Sequence, residues 1–193
     1  ATARLAATDV LGGTYTPHCA ALNPAKLVRG LARAVEDRGA RIYEQTPVTG
    51  IEAGVAHTSA ADVRAKIVVR ATEGYTARLP GLRRALVPVY SLIIATEPLP
   101  QSVWDAIGLS DRETFSDFRH LIVYGQRTAD GRLVFGGRGA PYHFGSRVSP
   151  GYDRAPAVFE ALHEALIELF PVLRQAAITH RWGGPLGIAR DWH

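Results

Sequence analysis

Methionine is absent from the 193 residues, cysteine occurs once, and lysine stands only at Lys26 and Lys66. A lone Cys19 excludes an internal disulfide framework and suits a reducing compartment, so the expected location is cytoplasmic. No apolar run approaches the roughly 18–20 residues of a membrane-crossing helix, and no stretch is laid out as a signal peptide. The net charge of +4 therefore rests on scattered arginines, with Arg83–Arg84 the one adjacent basic pair. Nucleic-acid binders carry a denser basic face with interleaved aromatics, so no nucleic-acid partner is expected. The missing methionine and the abrupt end at Asp191-Trp192-His193 are read as marks of a fragment.

Familiar site motifs are missing too. A dinucleotide fingerprint needs three spaced glycines opening a helix, and Gly137-Arg138-Gly139 lacks the third and runs into Pro141. No phosphate-binding P-loop is present. The histidines fall at no metal-ligand spacing with one another or with Cys19, so no metal is expected. His18 beside Cys19 is not a catalytic pair by adjacency alone, and a free cysteine usually packs as a small hydrophobe.

What is present suits one large domain or two small ones, with 47% apolar and 21% charged residues. Ala1 to Val10 could end a helix, and Thr14 to Thr16 is short and extended. Asn23 as N-cap, Pro24 at the first turn, an apolar stripe through Leu27, Val28, Leu31 and Val35, and Gly39 as stop spell a helix. Arg41 to Tyr43 reads as a strand. Val48 to Glu52, Val55 to His57 and Val63 to Lys66 read as a small meander. Ile67-Val68-Val69 has the look of an inner parallel strand, ending in Ala71, Thr72, Glu73 and Gly74, where a ligand could approach the backbone.

Beyond a single helical turn at Tyr75 to Leu79 and the Pro80-Gly81 break, Val87 to Thr96 is a long strand. Gln101 to Ile107 is a short helix. His120 to Gln126 and Leu133 to Gly137 form a hairpin around Asp130-Gly131. Ala155 to Phe170 is a second amphipathic helix, and Ile178 to Trp182 a last strand before GGPLG. Phe135 to Gly145 and Arg181 to Gly187 repeat the character of the ATEG end: a strand, then bare backbone. Each could be a glycine bulge; one shared flat ligand would explain all three.

NPAKLVRGLARAVEDRGARIYEQTPVTGIE, VRAKIVVRATEGYTARLPG, PVYSLIIATEPLP, YGQRTADGRLVFGGRGAP and HRWGGPLGIARDWH together resemble the FAD-dependent oxidoreductases of the D-amino-acid oxidase type. That group includes glycine oxidase, sarcosine oxidase and the γ-glutamylputrescine oxidoreductases, and the resemblance covers nearly the whole chain. It implies an α+β fold: part of an α/β FAD-binding lobe over residues 1–86, a substrate lobe on an antiparallel sheet over 87–181, and a return to the first lobe over 182–193.

The resemblance further implies FAD as cofactor, held by Val48 near its adenine, by Ala71, Thr72 and Gly74 along its length, and by Gly137, Trp182 and Gly184 near the flavin. It puts the family's pyrophosphate loop before residue 1 and its closing segment after His193, so the fragment is expected to bind FAD weakly or not at all. The place of a carboxylate-gripping arginine in glycine-oxidase-like members is filled by Leu186, which favours an amine over a simple α-amino acid. The expected reaction is oxidation of an amine or amino acid to an imine. His143 and Tyr142 are the candidate catalytic side chains, and Arg138 and Tyr142 the candidate substrate contacts. Two alternatives stay open: a non-catalytic α+β binding module without cofactor, and a related flavoprotein acting on a hydroxy acid.

Overall fold

The structure is a computed structural model that describes residues 4–190. The terminal Asp191-Trp192-His193 and the first three residues lie outside the described ones. Helix α1, Pro24–Glu36, forms where the capping residues predict: the Asn23 side-chain oxygen accepts from the Lys26 N–H at 3.0 Å. Past its end, Gly39 takes φ 88°, a left-handed conformation that favours glycine. Its apolar stripe of Leu27, Val28, Leu31 and Val35 is exposed.

The meander forms as β1 (Val48–Glu52), β2 (Val55–Thr58) and β3 (Asp62–Arg64), a three-stranded antiparallel sheet in chain order. Two expected strands do not. Arg41 to Tyr43 has no ladder, and Ile67 to Val69, expected as a buried parallel strand, is irregular with Ile67 and Val69 each 79% exposed. A strand needs a hydrogen-bonding neighbour, and among the described residues every named pairing is antiparallel and none involves this run. Among the described residues no helix end precedes Val10: Leu5 makes an isolated bridge to Gly108 instead.

The larger sheet carries β4 (Leu86–Thr96), β5 (Thr114–Ser116), β6 (Val123–Arg127), β7 (Leu133–Arg138) and β8 (Ile178–Ala189). Its spatial order is β5-β6-β7-β4-β8, antiparallel throughout, and it is flanked by α2 (Gln101–Ile107) and α3 (Pro156–Leu169). Gly131 at φ 76° turns the expected hairpin between β6 and β7. Strand β8 is longer than its sequence suggests: GGPLG, expected as open backbone, stays paired to β4 as far as Ala189. Pro88 sits where β4 has a partner only on the β8 side, so its missing N–H breaks no ladder bond toward β7.

Burial along β4 alternates with the period of a strand that has one dry face. Tyr90, Leu92 and Ile94 join Leu133 and Phe135 under Phe159, Leu162 and Leu166 of α3, with Trp104 and Ile107 of α2 closing one end. Each fully buried side chain of this size contributes about 1.5–3 kcal/mol. The other face, through Val87, Val89, Ser91 and Ile93, is only half covered.

Candidate active site

Residues directly across an antiparallel ladder share a face, so the register fixes which side each candidate occupies. Arg138, Ser91 and Gly184 form one row on the half-covered face. The next row on that face is Tyr124, Gly136, Ile93 and Trp182. Leu186, opposite Val89, continues the same face along β8.

Glycines decide what this face can accept. At Gly136 an added Cβ would sit 2.6 Å from the Tyr124 ring, so the bare backbone lets that ring lie across β7. The Tyr124 hydroxyl thereby reaches Ser91 Oγ at 2.5 Å, a hydrogen bond spanning from β6 to β4. At Gly184 an added Cβ would meet nothing within 4 Å, so the face is open above β8. Trp182 beside it is 42% exposed. An open cleft of about 1680 Å³ runs along this side, walled by Ile93, Tyr124, Gln126, Val134 and Trp182 and by the irregular segment around Gly12 and Tyr15. That segment is stapled at its start: Arg4 pairs with Glu113 at 2.8 Å and Asp111 at 3.2 Å, and lies over the Tyr15 ring.

The remaining candidates are placed elsewhere. Gly137 belongs to the core side: an added Cβ there would be 2.9 Å from Leu162 of α3. Thr72 caps a short 3-10 helix, Glu73–Arg78, that contains Gly74 and packs on β8. Glu73, in the left-handed region at φ 45°, accepts from the Gly187 N–H at 2.8 Å, and Gly74 abuts Pro185. The ATEG end and the GGPLG strand are thus brought together, on the core side of β8, with Ala71 exposed nearby in sequence. Val48 stands in the small sheet, whose strands pair only with one another.

Tyr142 and His143 lie off the cleft wall. His143 is stacked on Tyr152 at 3.3 Å between ring centroids and meets the Tyr90 edge, on the core side of β4. Burial pushes the Tyr90 phenol up. The exposed Tyr142 phenol is held below its ordinary value by the Ser146 hydroxyl and backbone N–H, the latter donating at 3.0 Å. Sequence reading passed over Ser91, Tyr124 and Ile93; β4 is apolar on both faces, so only the ladder register shows that these three share one.

A flat ring system fits the half-covered face, where Gly184 is open and Trp182 and Ile93 supply apolar wall. The N-terminus of α1 is not free to hold a pyrophosphate, since the Asn23 side chain caps it. No His/Cys/Asp/Glu group suited to a metal occurs among them either, and no helix is long and apolar enough to cross a membrane.

Comparison with known proteins gives a consistent result. Residues 1–192 match the family described as DAO, FAD dependent oxidoreductase. Among curated relatives, the probable oxidoreductase OrdL of Haemophilus influenzae is 31% identical, matched over 92% of this chain and 40% of its own length. The γ-glutamylputrescine oxidoreductase of Escherichia coli is 30% identical, over 94% of this chain and 42% of its own length. The chain thus spans about 40% of the length of these relatives. Among solved structures, the L-proline dehydrogenase from P. horikoshii superposes with a TM-score of 0.68 at 18% identity, covering 87% of this chain and 44% of that one. That likeness shows the fold.

Proposed function

Since the chain belongs to the DAO family of FAD-dependent oxidoreductases, we propose that the full-length protein oxidises a small amine or amino acid to the imine against the half-covered face of the five-stranded sheet. One observation carries this reading: Ser91, Tyr124, Arg138, Trp182 and Gly184 come from four strands yet share that face, and of these Tyr124 and Trp182 line the cleft. FAD, when bound, supplies the two-electron acceptor that such an oxidation requires. Trp182 and Gly184 would stand nearest its ring system; Gly74, packed against Pro185 on the core side of β8, does not share that face.

The chain's own residues bind and orient. Ser91 Oγ and Tyr124 Oη share one hydrogen bond, which leaves one hydroxyl proton and free lone pairs for the substrate nitrogen. The apolar side chains of Ile93 and Trp182 would disfavour an ammonium over the neutral amine once cofactor and substrate cover them. Neutral nitrogen is the form that can share its lone pair with the carbon being oxidised. Arg138 ends its row on this face, whereas Arg181 stands on the core side opposite Ile94; Arg4, Arg112 and Arg119 are the guanidiniums that line the cleft itself. Arg138 would grip an acidic group on the substrate. Leu186 offers no charge to a carboxylate at its own position, which favours an amine whose acidic group lies farther from the reacting carbon. The E. coli relative is named for a substrate of that kind.

Anaerobic mixing of the full-length flavoprotein with amines, α-amino acids and hydroxy acids tests the proposal. Bleaching of the flavin band by an amine, fastest where an acidic group is carried at a distance, is the expected result. Bleaching by hydroxy acids alone would replace this reading with that of a hydroxy-acid oxidoreductase.

A further inference from the structure

Strand β8 is the last of its sheet, and an edge strand leaves alternate N–H groups without a ladder partner. That of Gly187 is taken by Glu73 Oε1 at 2.8 Å, while the other oxygen of the same carboxylate accepts from the Gly74 N–H. Glu73 makes this reach from φ 45°, a left-handed conformation that a glutamate holds only where its surroundings impose it.

The two backbones meet closely on either side of that contact. A Cβ added at Gly187 would stand 2.9 Å from the Glu73 carbonyl carbon and 2.9 Å from the Gly74 nitrogen; one added at Gly74 would stand 3.1 Å from Pro185. Neither glycine has a left-handed φ, so it is the close approach that excludes a side chain at each. Side chains alternate along β8. Pro185, opposite the buried Tyr90, and Gly187, opposite Pro88, are held from behind, whereas Gly184 and Leu186 belong to the half-covered face. Fixing Pro185 and Gly187 on one side therefore sets the height of Leu186 between them on the other.

We propose that Glu73 is a positioning residue of the oxidation site: through the Gly187 N–H it fixes the far end of β8, and so places Gly184 and Leu186 against the substrate. The role rests on the half-covered face being the substrate face. Glu73 itself touches no substrate. A strand end released from it opens locally, and the loss falls on substrate binding before it falls on the chemical step.

Three full-length variants test this, each followed by hydrogen exchange over residues 183–190 and by steady-state kinetics with the best amine. Glu73→Ala should speed exchange there at least about tenfold and raise KM about fivefold, with kcat within about twofold of the parent. Glu73→Gln, which still offers an oxygen to the Gly187 N–H, should restore most of both. Glu73→Gly removes the left-handed strain together with the acceptor, so it should melt no lower than Glu73→Ala and yet keep the raised KM. Parent-like KM in Glu73→Gly, parent-like exchange in Glu73→Ala, or a Glu73→Gln that behaves as Glu73→Ala would each overturn the role of Glu73 alone. A parent that oxidises no amine would instead remove the substrate face and the role with it, while the exchange data would still report the contact between Glu73 and Gly187.

Discussion

Ser91 Oγ and Tyr124 Oη meet at 2.5 Å across the bare backbone of Gly136, tying β4 to β6 over the strand between them. The contact depends on sequence in a specific way. Only a residue without a side chain at Gly136 lets the tyrosine ring cross β7, and only a small hydroxyl at Ser91 can receive it.

Removing that hydroxyl is therefore informative. In Tyr124→Phe the ring still covers Gly136, but the bond to Ser91 and the donor offered to substrate are lost. We expect kcat/KM for the best amine to fall about tenfold, roughly 1.4 kcal/mol of transition-state stabilisation, with little change in melting temperature. Ser91→Ala should move kcat/KM in the same direction. Steady-state kinetics and thermal unfolding on the same preparations check both.

Neighbouring glycines should separate by face. Gly184→Ala meets open space and has no left-handed φ to strain, so its stability should stay within about 0.5 kcal/mol of the parent while KM rises. Gly137→Ala drives a Cβ to 2.9 Å from Leu162, and should cost about 1–3 kcal/mol. Denaturant melts of the two variants should rank Gly137→Ala well below Gly184→Ala; the opposite order would mean that the faces are assigned the wrong way round.

Much of this layout is legible in the chain because the signals are local. Asn23-Pro24 and Gly39 bound α1, and Asp130-Gly131 places the β6–β7 hairpin by turn chemistry alone. What sequence reading missed depends on partners. Ile67 to Val69 has the composition of an inner strand but finds no neighbour among the described residues. GGPLG looks like loop yet is held in β8 by the eleven-residue β4 beside it. Strand β5, three residues long, carries too little pattern to detect. Gly137 and Trp182 read as equivalent openings, although a one-residue offset in register sends them to opposite faces.

The small sheet carries a pH dependence of its own. His57 Nδ1 lies 2.7 Å from Asp62 and its Nε2 3.6 Å from Glu52. Its pKa is raised, chiefly by the hydrogen bond to Asp62. A raised folded-state value means that protonation favours the folded form. The stabilisation is complete below the unfolded value of about 6.5 and disappears as pH rises through the higher folded value. Asp62→Asn should return the His57 titration midpoint, followed by NMR, toward the ordinary value. It should also remove this component of the pH dependence of thermal unfolding.

The most direct measurement compares the two faces of the five-stranded sheet in one experiment. Anaerobic reduction of the full-length flavoprotein by its best amine is followed by stopped flow in Trp182→Ala and in His143→Ala. Trp182 lines the cleft, whereas His143 is stacked on Tyr152 behind the sheet. A rate constant at least about tenfold lower in Trp182→Ala, with His143→Ala close to the parent, is the result predicted. Slow reduction in His143→Ala with Trp182→Ala unaffected would contradict the account and move the chemistry to the other side of the sheet.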